Sequence, residues 1–296
     1  MSRLPDFERT RHITLTPGMK LIVMSDMHRG DGSGADDFAQ NSLIYRCALE
    51  YYLENGFTYI ELGDAEELWE NADFDQIYIT HTPVYELLAK FHDPDPEKTR
   101  YVKVWGNHDL YWRDHQDIYQ SLFPMIQIYE AVVLSDSILM IHGHQADPMC
   151  SGPVAAVSQF FVNYIWAGMQ KAGVKDPTRA ATNPGLCNEV DERLHKWATR
   201  NDQGTAAIIA GHTHRAVFEN LSLTEMRLQT LRFKAEDSSH LQDRRDPRYY
   251  NTGSCVHPLS ITGLEISFDG EIQYNLIEWL CAAEENILVV KRVVLQ

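Results

Sequence analysis

Leu21-Ile22-Val23-Met24-Ser25-Asp26-Met27-His28 is the stretch on which the fold turns: a short apolar run, a small residue, then Asp-x-His. The arrangement returns four times. Phe57 to Leu62 runs into Gly63-Asp64, and Tyr101 to Trp105 into Gly106-Asn107-His108-Asp109. Ile138 to Ile141 runs into His142-Gly143-His144, and Ala206 to Ala210 into Gly211-His212-Thr213-His214. Apolar runs of about 4–6 residues suit strands buried on both faces. A side chain able to hold a metal stands at the end of every one.

Helical patterns lie between the runs. Ala39 to Asn55 carries Leu43, Cys47 and Tyr51 one turn apart, with Gly56 placed as a C-cap. Thr82 to Phe91 is apolar at Val84, Leu87, Leu88 and Phe91, with Pro83 suited to a first turn. Strands alternating with helices give a layered α/β architecture. After Gly211 the pattern becomes extended, and Ile261 to Ser267, Asp269-Gly270 and Ile272 to Trp279 read as a β-hairpin. The expectation is one domain over residues 1–296, with mixed sheets between helices. Residues 151–204 break the rhythm with a largely helical pattern rich in bulky side chains, among them Val154, Phe160, Phe161, Trp166 and Met169. That insert is either a cap over the site or a helical pair packed on the sheet.

No apolar run approaches the ~20 residues that span a bilayer, and residues 1–16 hold no signal-peptide core. The expected location is cytoplasmic. A net charge of −16 disfavours nucleic acid as a general partner, because the phosphate backbone is held by clustered Lys and Arg. The five cysteines are scattered without a C-x-x-C pair, which fits reduced thiols and neither a disulfide frame nor a zinc ribbon.

The five motifs are far apart in sequence, as crossover connections require if the carboxyl ends of several strands are to meet at one sheet edge. Their residue types fit one chemistry. Hydrolysis of a phosphoester needs a nucleophile and neutral charge around the phosphoryl oxygens, and two metals about 3.5–4 Å apart supply both by acidifying water and clamping phosphorus. A carboxylate must bridge such a pair, and imidazoles and an amide oxygen complete the shells without excess negative charge. Mixed N/O donors suit Mn, Fe or Zn.

The ordered set Asp26-x-His28, Gly63-Asp64, Gly106-Asn107-His108-Asp109, His142 and Gly211-His212-x-His214 resembles the calcineurin-like metallophosphoesterases. Asn251-Thr252-Gly253-Ser254 is similar to that family's closing N-P-G-S segment, with Thr at the Pro position. The resemblance implies a four-layer α/β/β/α sandwich. It implies one metal on Asp26, His28, Asp64 and His214, and a second on Asp64, Asn107, His142 and His212, with Asp64 bridging. It further implies that His108 assists at the phosphoryl or leaving group while Asp109 orients its ring, with His144 behind the ligands. Within the superfamily, Gly63-Asp64-x-x-Glu67-x-Trp69 looks like the UDP-2,3-diacylglucosamine pyrophosphatases, whose helical lid holds acyl chains. His108 and His142-Gly143-His144 follow the wider family instead. The expected substrate is therefore a small or lipid-linked phosphoester, reached through peripheral membrane contact in the lipid case. A catalytically inactive scaffold and a nuclease are the rival readings. Arg29 and Asp31 read as solvated loop residues, and His81, His92, His115, His195, His240 and His257 as surface or satisfied histidines.

Overall fold

The computed structural model describes residues 7, 9–34, 36–69, 73–147, 184–200, 205–222, 247–284 and 287–296. Its elements in chain order are β1 (Thr10–Ile13), β2 (Met19–Met24), α1 (Ser42–Glu54), β3 (Thr58–Leu62), α2 (Phe74–Phe91) and β4 (Tyr101–Val104). Next come α3 (Gln116–Gln120), β5 (Ile128–Tyr129), β6 (Ala131–Leu134), β7 (Ile138–Ile141), α4 (Pro184–Arg200) and β8 (Ala207–Ala210). The chain closes with β9 (Val217–Phe218), β10 (Leu221–Ser222), β11 (Arg248–Asn251), β12 (Ser260–Phe268), β13 (Ile272–Glu284) and β14 (Ile287–Val294).

The strands form two sheets, ordered β1-β6-β7-β8-β11-β9-β10 and β14-β13-β12-β2-β3-β4-β5. Both are mixed. β2, β3, β4 and β5 run parallel, whereas β12 joins β2 antiparallel. β7, β8 and β11 are parallel, whereas β6 joins β7 antiparallel.

Alternation along the strands sorts the side chains into three apolar layers. Leu21, Val23, Ile60 and Leu62 of one sheet meet Val132, Met140, Ala207 and Ile209 of the other. The opposite faces, with Ile22, Met24 and Tyr59, lie under Ile44, Tyr45, Leu49, Val84 and Leu88 of α1 and α2. On the far side, Val190 and Leu194 of α4 cover Leu139, Ile141, Ile208 and Ala210. Helix, sheet, sheet and helix thus stack as four layers, as the family resemblance implied.

Two details differ from expectation. α2 starts at Phe74, where the Asp73 side chain accepts from the Asp75 amide, and it breaks at His81 (φ −109°, ψ 22°). Pro83 therefore stands in the first turn of the helix's second half, not of the whole helix. Of the insert, residues 184–200 form α4 packed on a sheet face; residues 151–183, with Phe160, Phe161 and Trp166, and 201–204 lie outside the described residues. Among the described residues no helix is long and apolar enough to cross a membrane.

Candidate metal centre

The loops leaving β2, β3, β4, β7 and β8 converge. Each must turn sharply to keep its side chains at the sheet edge, and the backbone records it: φ is +55° at Asp26, +50° at His28, +51° at Asp64, +67° at His212 and +52° at His214. A left-handed backbone costs a residue with a Cβ about 1–2 kcal/mol. Such outliers persist only where the surroundings enforce them. Here the loops tie to one another: Asp26 N–H donates to Gly63 O at 3.1 Å and His28 N–H to Asp64 O at 2.9 Å. His212 N–H donates to Asp26 Oδ2 at 2.9 Å, and His108 N–H to Asp64 Oδ1 at 2.8 Å.

The approach is close enough to demand glycine. A Cβ on Gly106 would lie 2.2 Å from Asp64 Oδ1, and one on Gly211 would lie 2.3 Å from Ser25 Oγ and 2.6 Å from Asp26 Oδ2.

Two adjoining donor groups result. Asp26, His28 and His214 form one group whose donor atoms lie close together, and Asp64, His142 and His212 form another. His28 Nε2 is 3.2 Å from His214 Nε2 and 3.8 Å from Asp64 Oδ2, and His214 Nε2 is 3.2 Å from Asp26 Oδ1. His142 Nε2 is 3.0 Å from Asp64 Oδ2. Donors about 2.0–2.2 Å from one cation stand roughly this far apart. Asp64 touches both sets.

Partners behind the ligands fix which atom each presents. His28 donates Nδ1–H to Glu67 Oε2 at 2.8 Å, and His142 donates Nδ1–H to Leu62 O at 2.9 Å. In both, Nε2 is left facing the centre. His212 gives Nε2 to Asp147 Oδ2 at 2.9 Å, which leaves Nδ1. From the closing segment, Thr252 Oγ1 lies 2.7 Å from Ser25 Oγ, which in turn bonds Asp26 Oδ2. The Thr at the family's Pro position thus adds a hydroxyl to the Asp26 network.

The orphaned atoms fit a cation. Asn107 Oδ1 is buried without a hydrogen-bond partner, while Asp26 Oδ1 and His142 Nε2 have only His214 Nε2 at 3.2 Å and Asp64 Oδ2 at 3.0 Å, an arrangement that is costly unless something else binds them. Burial pushes the Asp26 carboxyl up, yet His214 and His142 outweigh it and hold the group at about 2. Burial pushes the His142 pKa down, yet the Asp64 and Asp26 carboxylates outweigh it and raise the group to about 9. Both shifts report the negative field of the Asp26 and Asp64 carboxylates, which favours positive charge at the centre. The donor set and the orphans suit divalent metals.

His108 lies beside this centre. It groups with His28 and Asp64, and its ring meets that of His28 edge-on at 4.6 Å. Its Nδ1 pairs with Glu67 Oε1 at 2.8 Å, and Trp69 stacks on its face at 4.2 Å. Asp109 does not orient it, contrary to expectation. The Asp109 carboxylate lies beneath the loops, accepting from Gly106 N–H at 2.6 Å, Ala65 N–H at 3.0 Å and Asp64 N–H at 3.3 Å. Backbone donors occupy it, so orientation falls to Glu67.

Six of the seven residues read as ligands fall in these donor groups, and the seventh, Asn107, follows β4 with its Oδ1 buried and unpartnered. His144 rings lie 5.5 Å from His142 and 6.5 Å from His212, behind the ligands, and burial first of all holds its pKa well below the usual value. Asp147 gave no signal in sequence, being a lone Asp. Arg29 is a correction: it is fully buried, not solvated. Of the other histidines, His81 pairs with Asp36 Oδ2 at 2.8 Å, and His257 bonds the main-chain oxygen of His214 at 3.0 Å. His240 lies outside the described residues.

No family profile and no curated protein matches the chain. Among solved structures, vacuolar protein sorting 29 from Cryptosporidium parvum is similar at 13% identity and TM-score 0.39, covering 94% of this chain and 98% of that one. A serine/threonine phosphatase from Saccharomyces cerevisiae with similarity to human phosphatase PP5 matches at 11% identity and TM-score 0.36, covering 96% and 82%. Likeness this loose says nothing of chemistry, which rests on the geometry of the centre.

Proposed function

We propose that the chain is a calcineurin-like metallophosphoesterase, a hydrolase of phosphoester or pyrophosphate bonds that uses two divalent metal ions. The observation that carries this is two donor groups, Asp26–His28–His214 and Asp64–His142–His212, joined where Asp64 Oδ2 lies 3.8 Å from His28 Nε2, with the His108 imidazole held against them by Glu67. Asp26, His28, Asp64 and His214 would hold one ion, and Asp64, Asn107, His142 and His212 the other. Bound there, Mn, Fe or Zn supplies the Lewis-acid charge that activates water and neutralises phosphoryl oxygens.

The side chains supply the rest. Glu67 Oε1 accepts a hydrogen bond from Nδ1–H of His108, so Nε2 is the nitrogen left to meet the phosphoryl group or the departing oxygen. Trp69 blocks one face of the ring and keeps it from turning away. A small phosphoester suits the net charge of −16 better than a nucleic acid does.

Elemental analysis of the purified protein, coupled to hydrolysis of chromogenic phosphomonoesters and phosphodiesters with and without Mn, tests the proposal. About two metals per chain and Mn-dependent turnover are expected. His108→Ala should keep the metals and lose turnover by about 10²–10⁴-fold. A chain that binds no metal and hydrolyses neither ester with added Mn overturns it.

A further inference from the structure

Beneath the metal centre lies a closed ring of four buried charges. Arg29 follows the ligand His28, Glu61 lies on β3, Glu66 follows Asp64 by two residues, and Lys103 lies on β4 in register with Glu61. Arg29 donates from Nη1 to Glu61 Oε1 at 2.8 Å and from Nη2 to Glu66 Oε1 at 2.6 Å. Lys103 Nζ donates to Glu61 Oε2 at 2.7 Å and to Glu66 Oε2 at 2.8 Å. Each member contacts two of opposite sign, and none of the four is exposed. Tyr101, Tyr85 and Trp112 donate to the carboxylates from outside, at 2.7, 3.1 and 2.9 Å.

Stability alone does not account for such a ring. Desolvating four ions offsets what their attraction returns, and well-packed apolar side chains hold a core as well or better. What the ring does fix is geometry. Arg29 is locked in main chain too, donating N–H to Ala65 O at 2.9 Å and accepting from Glu67 N–H at 3.0 Å. Lys103 Nζ lies 3.8 Å from Asp109 Oδ2, the carboxylate that gathers the amides of Asp64, Ala65 and Gly106. The loops after β2, β3 and β4 are thereby tied to one neutral knot, and these loops carry Asp26, His28, Asp64 and Asn107.

We propose that the Arg29–Glu61–Lys103–Glu66 ring is the positioning device of the metal centre, holding three ligand-bearing loops in register so that their donors converge. None of the four touches the ligand atoms; they act through the backbone and through Asp109. The inference rests on the metal-dependent function proposed above.

The double variant Glu61→Gln with Lys103→Met removes one charge of each sign and leaves Arg29 paired with Glu66. Urea unfolding and calorimetric titration with Mn are read side by side. The expected result is unfolding close to that of the wild type, Mn affinity lower by about 10–100-fold, and a kcat loss at saturating Mn with KM for the chromogenic ester unchanged. Should that variant fail to fold, Lys103→Arg keeps the charge but puts a planar fork where a point charge sat; it is expected to fold and to bind Mn more weakly. A folded variant with wild-type Mn affinity overturns the inference, as does loss of the fold in both, which would make the ring a structural support. A wild type that binds no Mn instead overturns the metal-dependent function itself.

Discussion

Glu67 divides its carboxylate between two imidazoles, His28 in a ligand set and His108 beside it. An amide in its place can accept from only one of them well, since its NH₂ faces the other ring's N–H. Glu67→Gln is therefore expected to weaken Mn binding by about 10–100-fold and also to lower kcat at saturating metal. His108→Ala would lower kcat alone. Titration with Mn on both variants separates the two; equal metal affinity in Glu67→Gln and wild type would mean that His28 needs no such partner. Asp109 gives the opposite signature. Its oxygens serve three backbone amides, and Asn would set an N–H donor against at least one of them. Asp109→Asn should cost about 1–3 kcal/mol in urea unfolding. Intact stability with a collapsed kcat would instead restore Asp109 as the orienter of His108. Both Glu67 and Asp109 were legible in the sequence as neighbours of the site, but there the orienting role falls to Asp109, because adjacency along the chain does not say which way a side chain turns.

At the scale of elements, the strands that carry ligands were legible and others were not. β2, β3, β4, β7 and β8 have apolar residues on both faces and end at a ligand, so run length and terminal residue coincide. β5, β9 and β10 are two residues long, too short for any period to show. The first half of α2 escaped notice because Pro83 reads as a helix start; the break at His81 lets the helix run on to it. Arg29 and Lys103 escaped as well, since a lone charge carries no sign that its partners lie on neighbouring strands. The motif glycines have an element-scale meaning: they let one loop lie against another. Gly106→Ala puts a methyl 2.2 Å from Asp64 Oδ1, and either the β4 loop or the shared carboxylate must move. Because Asp64 is proposed to hold both ions, Mn stoichiometry should fall below that of the wild type while the folded state persists. Full stoichiometry at wild-type affinity would mean the loops yield without cost to the site.

Across the whole molecule, the centre draws on both sheets. Asp26, His28, Asp64 and Asn107 come from loops of one, and His142, His212 and His214 from loops of the other. The apolar layer between the sheets aligns the edges, but at the edge itself carboxylates and imidazoles are crowded together within 3.0–4.0 Å. Cations bound there would link the sheets at the point where the apolar layer ends. Ligands drawn from across the chain cannot be assembled in the unfolded state, so metal binding adds to folding stability by mass action. At a free concentration of 100 times the dissociation constant, one site contributes about 2.7 kcal/mol. For a chain of this size that corresponds to a rise in Tm of roughly 4 °C. Thermal unfolding in a chelator, then with rising Mn, should show this climb, and Asp64→Asn should flatten it if Asp64 holds both ions as proposed. A rise undiminished in Asp64→Asn would place the stabilising metal elsewhere on the molecule.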